Sequence, residues 1–252
     1  MQATKFEFER RFWIFFGIYA VGFSLANFDH TSVTTAVRHL AAPSLLPGSP
    51  EAFTLQRFII AGGALLVFLT AALRTWAAAY LRTSIVHDTA QHSETLVADG
   101  PFRHVRNPLY FANLPMAAGI GVMATPLGWL FMVAANWLFV YRLIFREEES
   151  LRQTQGESYR AYLKAVPRFW PSLKPRVPAG NRAPRWGQAF AGESFIWLFG
   201  IAELVLAITL NTQVTAAVFV AGFIAHFALA RGLSKPSEHS LLPDPFSASA
   251  DL

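Results

Sequence analysis

Apolar stretches long enough to cross a membrane recur along the chain and alternate with polar segments. A transmembrane helix needs roughly 20 mostly apolar residues to cross the hydrocarbon layer of a bilayer. The pattern therefore predicts an all-α, polytopic membrane protein with about six transmembrane helices. The predicted spans are residues 12–28, 58–80, 109–124, 127–145, 195–210 and 214–230.

Two connections between these spans are so short that only tight turns fit them. Residues 124–126 join the third and fourth spans, and residues 210–213 join the fifth and sixth. Each pair is therefore expected to form a helical hairpin. The polar segments on either side of the first hairpin should then meet at one end of it.

The composition divides the chain into four predicted regions. The first is 1–95, with two spans and their loops, and the second is 96–171, a core built around the first hairpin. An interfacial segment and the second hairpin fill 172–231, and the Pro-rich polar tail 232–252 is expected to be disordered.

Basic residues lie almost entirely on one side of this predicted topology. With the amino terminus in the cytoplasm, all Lys and Arg residues except Arg38 and Arg57 lie inside. Cytoplasmic loops carry the excess of Lys and Arg in membrane proteins. We therefore predict that both termini are cytoplasmic and that the basic face contacts anionic headgroups. This explains the pI of about 9.8 without a nucleic-acid partner.

The composition also excludes several kinds of site. Charged residues make up only 15% of the chain, and cysteine is absent. Soluble domains average about 25% charged residues. Disulfides, thiolate metal sites and cysteine nucleophiles are therefore excluded. A polar group at His87, Asp88, His92 and Glu94 is too irregularly spaced to predict a metal site.

Polar motifs concentrate in the two cytoplasmic segments that flank the first hairpin. Residues 100–110 read Gly-Pro-Phe-Arg-His-Val-Arg-Asn-Pro-Leu-Tyr. After the hairpin come Glu-Glu-Glu-Ser-Leu at 147–151, Gly156 followed by Tyr159 and Tyr162, and Val-Pro-Arg-Phe-Trp-Pro at 166–171. This ordered set resembles the integral-membrane methyltransferases, which include isoprenylcysteine carboxyl methyltransferase and the phospholipid N-methyltransferases. The resemblance covers residues 96–171.

The resemblance implies a helical membrane enzyme that transfers a methyl group from S-adenosylmethionine. The acceptor would be a membrane-embedded lipid or prenylated molecule with a carboxylate or amine head, and the active site would face the cytoplasm. Carried over by motif, and with Tyr159 added for its aromatic ring, the cofactor-binding residues would be Arg106, Asn107, Pro108, Tyr110, Glu147, Glu148 and Tyr159.

The residue types suit this chemistry. An arginine fork pairs with a carboxylate, and a carboxylate suits an ammonium group or ribose hydroxyls. A tyrosine ring attracts a cationic sulfonium. Methyl transfer needs mainly the positioning of donor and acceptor, although an amine acceptor must lose a proton. The candidate catalytic residues are therefore Arg106, Glu148 and His104, the last two as possible bases.

Two residues inside the spans are candidates for the acceptor cavity. Glu203 lies in the middle of the fifth span, where an ionisable side chain is a functional hypothesis by default. Asn113 lies in the third span. His226 is a possible partner of Glu203, but the two differ in depth by roughly 7 Å, so contact needs offset helices.

Three alternatives stay open at this point. A dinucleotide-dependent membrane reductase of lipids would also open its cofactor pocket to the cytoplasm. In a non-enzymatic scaffold, the charged clusters would only fix the topology. Tyr159, Trp170 and Trp186 are also typical of anchors at the membrane surface.

Overall fold

The computed structural model describes residues 2–81 and 98–233, and it is built from helices joined by turns over these ranges. Short 3-10 turns occupy Leu25–Asn27, Gly100–Arg103 and Gly121–Met123. The α-helices are α1 (Lys5–Glu9), α2 (Arg11–Ser24), α3 (Val33–Ala41), α4 (Pro50–Tyr80), α5 (Pro108–Ile120), α6 (Pro126–Ala165), α7 (Trp186–Thr209) and α8 (Thr212–Leu233).

Both predicted hairpins are present, and each has a local chemical cause. The Thr125 hydroxyl accepts a hydrogen bond from the Gly128 N–H at 3.1 Å and so caps the start of α6. Between α7 and α8, Leu210 adopts a left-handed conformation with φ of 51°. The side-chain oxygen of Asn211 then accepts from the N–H of Gln213 at 2.9 Å, which begins α8.

The all-helical character is confirmed over the described residues, and the lengths of the helices suit a membrane protein. Over the described residues, α4, α6 and α7 are each long and apolar enough to cross a membrane. Residues 108–123 and 212–227 form shorter apolar helices, and α2 has 14 residues. The count of six spans and the cytoplasmic position of both termini stay predictions.

The structure adds helix where hydropathy alone indicated polar connections. Helix α3 lies within the predicted loop 29–54, and α4 begins at Pro50, ahead of its predicted apolar stretch. The Ser49 hydroxyl caps the Ala52 N–H at 3.2 Å, and Pro50 suits the first helical position. These start signals depend on hydrogen bonding and proline geometry, which a hydropathy pattern does not register.

Helix α4 is the centre of the bundle, with α7 on one side and α5 on the other. Helix α8 packs on α7, while α6 packs on α5 and α2. At the α4–α5 crossing, a Cβ on Gly119 would lie 2.6 Å from the Gly63 carbonyl oxygen. Glycine is therefore required for this close approach, and α4 carries the contacts that link the two hairpins.

Two of the sequence-based expectations concern residues that the structure does not describe. The weak metal-site candidate at 87–94 lies outside the described residues, as does most of the predicted tail 232–252. The first two residues of that tail, 232 and 233, belong to α8 instead. Among the residues that are described, no three His, Cys, Asp or Glu side chains come together to hold a metal ion.

Helix α6 is interrupted at Gly156, where φ is 56° and ψ is −131°. This conformation is open essentially only to glycine. It turns the last part of α6, which carries Tyr159 and Tyr162, back toward the hairpin end. Gly156 therefore sets the direction of the segment that closes the polar cluster described below.

Gly156→Ala is expected to destabilise the protein by about 1–3 kcal/mol. A Cβ at this position would meet no neighbouring atom within 4 Å, so backbone strain is the whole cause. Thermal unfolding in detergent measures the effect. Gly17→Ala is the matched control because Gly17 is helical and equally uncrowded. Equal stability of both variants would contradict the expectation that alanine strains the backbone at position 156.

Candidate functional site

The two motif segments run side by side at one end of the α5–α6 hairpin. The Arg106 N–H donates to the Pro167 carbonyl at 2.9 Å, and the Ser172 N–H donates to the His104 carbonyl at 2.9 Å. Further along, the Arg176 N–H donates to the Arg103 carbonyl at 2.8 Å. Backbone hydrogen bonds therefore hold residues 103–106 against residues 167–176.

Glu148 is the centre of the polar cluster formed where these segments meet. Its side chain is 2% exposed, and its Oε1 lies 3.4 Å from Arg106 Nη2. Asn107 Nδ2 donates to the same oxygen at 3.3 Å, while Arg168 Nε donates to Oε2 at 3.0 Å. One buried carboxylate thus joins both motif segments. Two guanidinium groups around one carboxylate leave a positive charge in excess.

Arg106 keeps hydrogen-bonding capacity in this cluster. Its side chain is 9% exposed, and its Nε is buried without a hydrogen-bond partner among the described residues. Burial lowers the pKa of the Arg106 guanidinium from its ordinary value, and the Glu148 carboxylate opposes that shift. The group still stays charged, as arginine does in proteins. Arg106 therefore offers a buried cationic donor.

Glu147 faces a different part of the protein from its neighbour Glu148. It forms a hydrogen bond with the hydroxyl of Tyr110, which lies in the first turn of α5 after Pro108. Arg11 of α2 is a nearby positive charge for both residues, and Arg74 of α4 is one for Tyr110. The Glu147–Tyr110 pair therefore lies close to helices α2 and α4, on a different side of α6 from the Glu148 side chain.

Tyrosine rings close the cluster on the side that follows Gly156. Tyr159 is 2% exposed, and its ring centre lies 6.0 Å from that of Tyr162. The Tyr162 hydroxyl donates to the Phe102 carbonyl at 2.7 Å. Burial and then the negative charge of Glu148 raise the pKa of Tyr159 well above its ordinary value. Tyr159 is therefore a buried component of the site and not an anchor at the membrane surface.

His104 is held from both sides. Its Nδ1 lies 2.8 Å from the Ser172 carbonyl oxygen, which can only accept, so Nδ1 carries the hydrogen. Its ring centre lies 6.0 Å from that of Trp76 on α4. These contacts fix the orientation of the imidazole and leave Nε2 for any proton transfer.

The connection between α6 and α7 returns across the site to α4. Asp99 Oδ1 accepts from the Gly180 N–H at 2.6 Å, and Oδ2 accepts from the Arg182 N–H at 3.2 Å. Arg182 Nη1 donates to the Tyr80 carbonyl at 3.0 Å, and the Arg185 N–H donates to the Ala79 carbonyl at 2.8 Å. This connection therefore ties the second motif segment to the carboxyl-terminal end of α4.

The two acceptor-cavity candidates lie deeper in the bundle. Asn113 is 6% exposed in α5, one turn beyond Tyr110. Glu203 is 1% exposed in α7 and has no hydrogen-bond partner among the described residues. The possible pairing of Glu203 with His226 is not found, because His226 Nδ1 lies 2.6 Å from the Ser194 hydroxyl instead.

Several residues of the site were missed by sequence reasoning. Arg168 was visible only as one letter of the Val-Pro-Arg-Phe-Trp-Pro motif, and Asp99 only as the residue before Gly-Pro. Arg11 and Arg74 looked like charges that fix topology, and Glu193, the partner of Arg74, was not singled out. The available signal was that acidic and basic residues alternate near the ends of separate helices. This pattern does not tell which of these residues form pairs.

Comparisons with known proteins agree with the motif resemblance. Residues 58–158 match the family model described as phospholipid methyltransferase (PEMT), which confirms the resemblance stated above. The chain is also 29% identical over 111 residues to the cobalt-zinc-cadmium resistance protein CzcN of Cupriavidus metallidurans. That alignment covers 44% of this chain, and the chain spans about half, 48%, of the length of the relative. No solved structure matches the chain.

The matched segment contains the central part of the site. It begins in α4, includes α5 and most of α6, and ends at residue 158, shortly after Gly156. Arg106, Asn107, Glu147 and Glu148 therefore lie inside it, whereas Arg168 and helices α7 and α8 lie beyond it.

Proposed function

We propose that this protein is an S-adenosylmethionine-dependent methyltransferase that acts on a lipid or lipidated acceptor in the cytoplasmic leaflet. The observation that carries the proposal is the Glu148 cluster, in which one buried carboxylate joins the two motif segments at the end of a membrane hairpin. The match of residues 58–158 to phospholipid methyltransferases supports the same reaction class.

The residues present fit the donor. The excess positive charge and the unpartnered Nε of Arg106 suit a carboxylate group. Asn107 and Tyr159 add a polar and an aromatic contact beside it. When bound, the donor supplies an electrophilic methyl group on its sulfonium. Glu148 acts as a positioning residue, since it holds Arg106 and Arg168 and so fixes the direction of their N–H groups.

The Glu147–Tyr110 pair suits the acceptor head group. Both residues lie close to helices α2 and α4. A carboxylate here attracts an amine and can take the proton that an amine must lose before it is methylated. Glu147 is a better base than Glu148, whose oxygens are occupied by three donors. We therefore favour an amine head group.

Direct measurement of donor binding tests the proposal. Calorimetry of the detergent-purified protein with S-adenosylmethionine should give saturable binding. Incubation with the donor labelled on its methyl group and a total lipid extract should then label an extractable lipid. Absence of donor binding in several detergents, or preferential binding of a nicotinamide dinucleotide, would overturn the proposal in favour of the scaffold or the reductase.

Glu147→Gln is expected to lower methyl transfer by about 10²-fold or more while leaving donor affinity within twofold, because glutamine cannot accept the proton. Turnover with labelled donor and calorimetry on the same preparation separate the two effects. Glu149→Gln is the matched control, since Glu149 lies two residues further along α6 but forms an exposed pair with Arg152 at 3.3 Å. Unchanged turnover in the Glu147 variant would point to an acceptor that needs no base, such as a carboxylate.

A further inference from the structure

Glu203 is a buried acid with no counter-charge among the residues that the structure describes. Its side chain lies within α7, which is long and apolar enough to cross a membrane, and the residue is 1% exposed. Both carboxyl oxygens are buried and lack a hydrogen-bond partner among the described residues. The other buried glutamate of this helix differs, because Glu193 Oε2 lies 2.8 Å from Arg74 Nε.

The Glu203 carboxyl group occupies a notch that two glycines create. A Cβ on Gly63 of α4 would collide with Glu203 Oε1. The same Cβ would lie 2.9 Å from the Gly119 carbonyl oxygen and 3.2 Å from the Val122 side chain. The carboxyl therefore lies where α4, α5 and α7 meet, beside the carboxyl-terminal end of α5.

The surroundings disfavour a negative charge at this point. The carbonyl groups at the end of a helix carry partial negative charge. An ionised carboxylate in an apolar interior costs several kcal/mol when no partner offsets it. A neutral carboxylic acid avoids that cost and provides one hydroxyl donor close to the carbonyl oxygen of Gly119.

Charged and titratable groups on the neighbouring helices lie too far along their axes to pair with Glu203. At a rise of 1.5 Å per residue, the nearest of these groups on α4 and α5 lie about 9 Å or more from the notch along the helix axes. The nearest such group on α7 lies about 15 Å away along that helix. These groups are Arg57 and Arg74 on α4, Tyr110 on α5, Tyr141 on α6, Glu193 on α7, His226 on α8, and Arg38 and His39 on α3. Tyr19 of α2 packs against the neighbouring cluster of Val67 and Ile120, and its buried hydroxyl has no hydrogen-bond partner among the described residues.

From this geometry we infer that Glu203 is a membrane-embedded proton-binding site, a neutral carboxylic acid on which the packing of α7 against α4 and α5 depends. The ligand is the proton itself. Its loss would place an unpaired charge in the glycine notch and would separate α7 from the α4–α5 crossing. The inference is independent of the methyl-transfer reaction, because it concerns a site near the opposite end of α5 from Tyr110.

Infrared spectroscopy of the full-length protein in an ester-free detergent tests the inference directly. A protonated carboxyl group has a carbonyl stretching band above the amide region, whereas an ionised one does not. The wild-type protein at neutral pH should show this band, and Glu203→Gln should lack it. Glu193→Gln is the matched control, and it should keep the band because Glu193 is ionised in its pair with Arg74.

Isotopic labelling keeps the test decisive if the glutamine variant does not fold. Wild-type protein labelled with ¹³C on the glutamate side chains should shift the band to lower frequency. Glu203→Asp gives a second variant, in which the band should persist at a changed frequency. A wild-type spectrum without a protonated glutamate band, or a band that survives in Glu203→Gln, would overturn the inference.

Discussion

Glu148→Ala is expected to weaken binding of S-adenosylmethionine by at least about 100-fold, which corresponds to roughly 2.7 kcal/mol. The substitution removes the acceptor shared by Arg106, Asn107 and Arg168. The two guanidinium groups then repel one another, and Arg106 loses the contact that orients it. Calorimetry in detergent measures the change.

Two further variants make this prediction specific. Glu149→Ala should bind the donor normally, because Glu149 belongs to a surface pair whose side chains are 40% exposed or more. Glu148→Gln keeps the shape of the side chain but not its charge, and it should lose an intermediate amount of affinity. Wild-type affinity in a folded Glu148→Ala protein would remove the basis for placing the donor at this cluster.

Arg74→Ala is expected to destabilise the protein by about 3–5 kcal/mol, and so is Glu193→Ala. The Arg74–Glu193 pair is bidentate, with separations of 2.8 and 3.2 Å, and the Glu193 side chain is 2% exposed. Removal of either partner leaves a buried charge without compensation. Unfolding in mixed micelles, followed by a change in tryptophan fluorescence, measures the loss.

The double variant distinguishes the free-energy cost of an unpaired buried charge from the net contribution of the ion pair to stability. Replacement of both Arg74 and Glu193 by methionine should restore most of the stability, because well-packed apolar residues often replace a buried ion pair at little cost. The exposed Arg152–Glu149 pair is the control, and its removal should change stability by less than about 1 kcal/mol. A double variant as unstable as the single ones would contradict this account.

The meeting of the two motif segments followed from the sequence because chain connectivity determines it. A connection as short as residues 124–126 forces two apolar helices to lie antiparallel, so the segments before and after them share one end. The 3.4 Å separation of Arg106 and Glu148 confirms that expectation. Hydropathy and connection length were sufficient for this part of the site.

The separate orientations of Glu147 and Glu148 could not be predicted from the sequence. Adjacent residues in an α-helix point about 100° apart, so two neighbouring glutamates rarely serve one ligand group. Only the position of α6 against α2 and α5 decides that Glu147 reaches Tyr110 while Glu148 reaches Arg106. A motif comparison treats the two positions alike.

The connection between α6 and α7 was also unpredictable in its detail. It lacks a periodic pattern of hydrophobic residues. Its conformation is held by hydrogen bonds to residues that are distant in sequence, such as the one that the Gly180 N–H donates to the Asp99 side chain. Likewise, Arg168 is the third group around Glu148 only because this connection begins against residues 104–106. Contacts of this kind depend on the completed bundle.

The return of the chain from α6 to the end of α4 limits how this protein can be recombined with its relatives. Arg182 and Arg185 bond to carbonyl groups of Tyr80 and Ala79, and the ion pair of Arg74 lies only a few residues further along α4. The last two helices are thus not an interchangeable module. A chimera that exchanges them must also exchange the preceding connection and the last third of α4. Otherwise the groups that form these hydrogen bonds and this ion pair would come from different proteins and would not match.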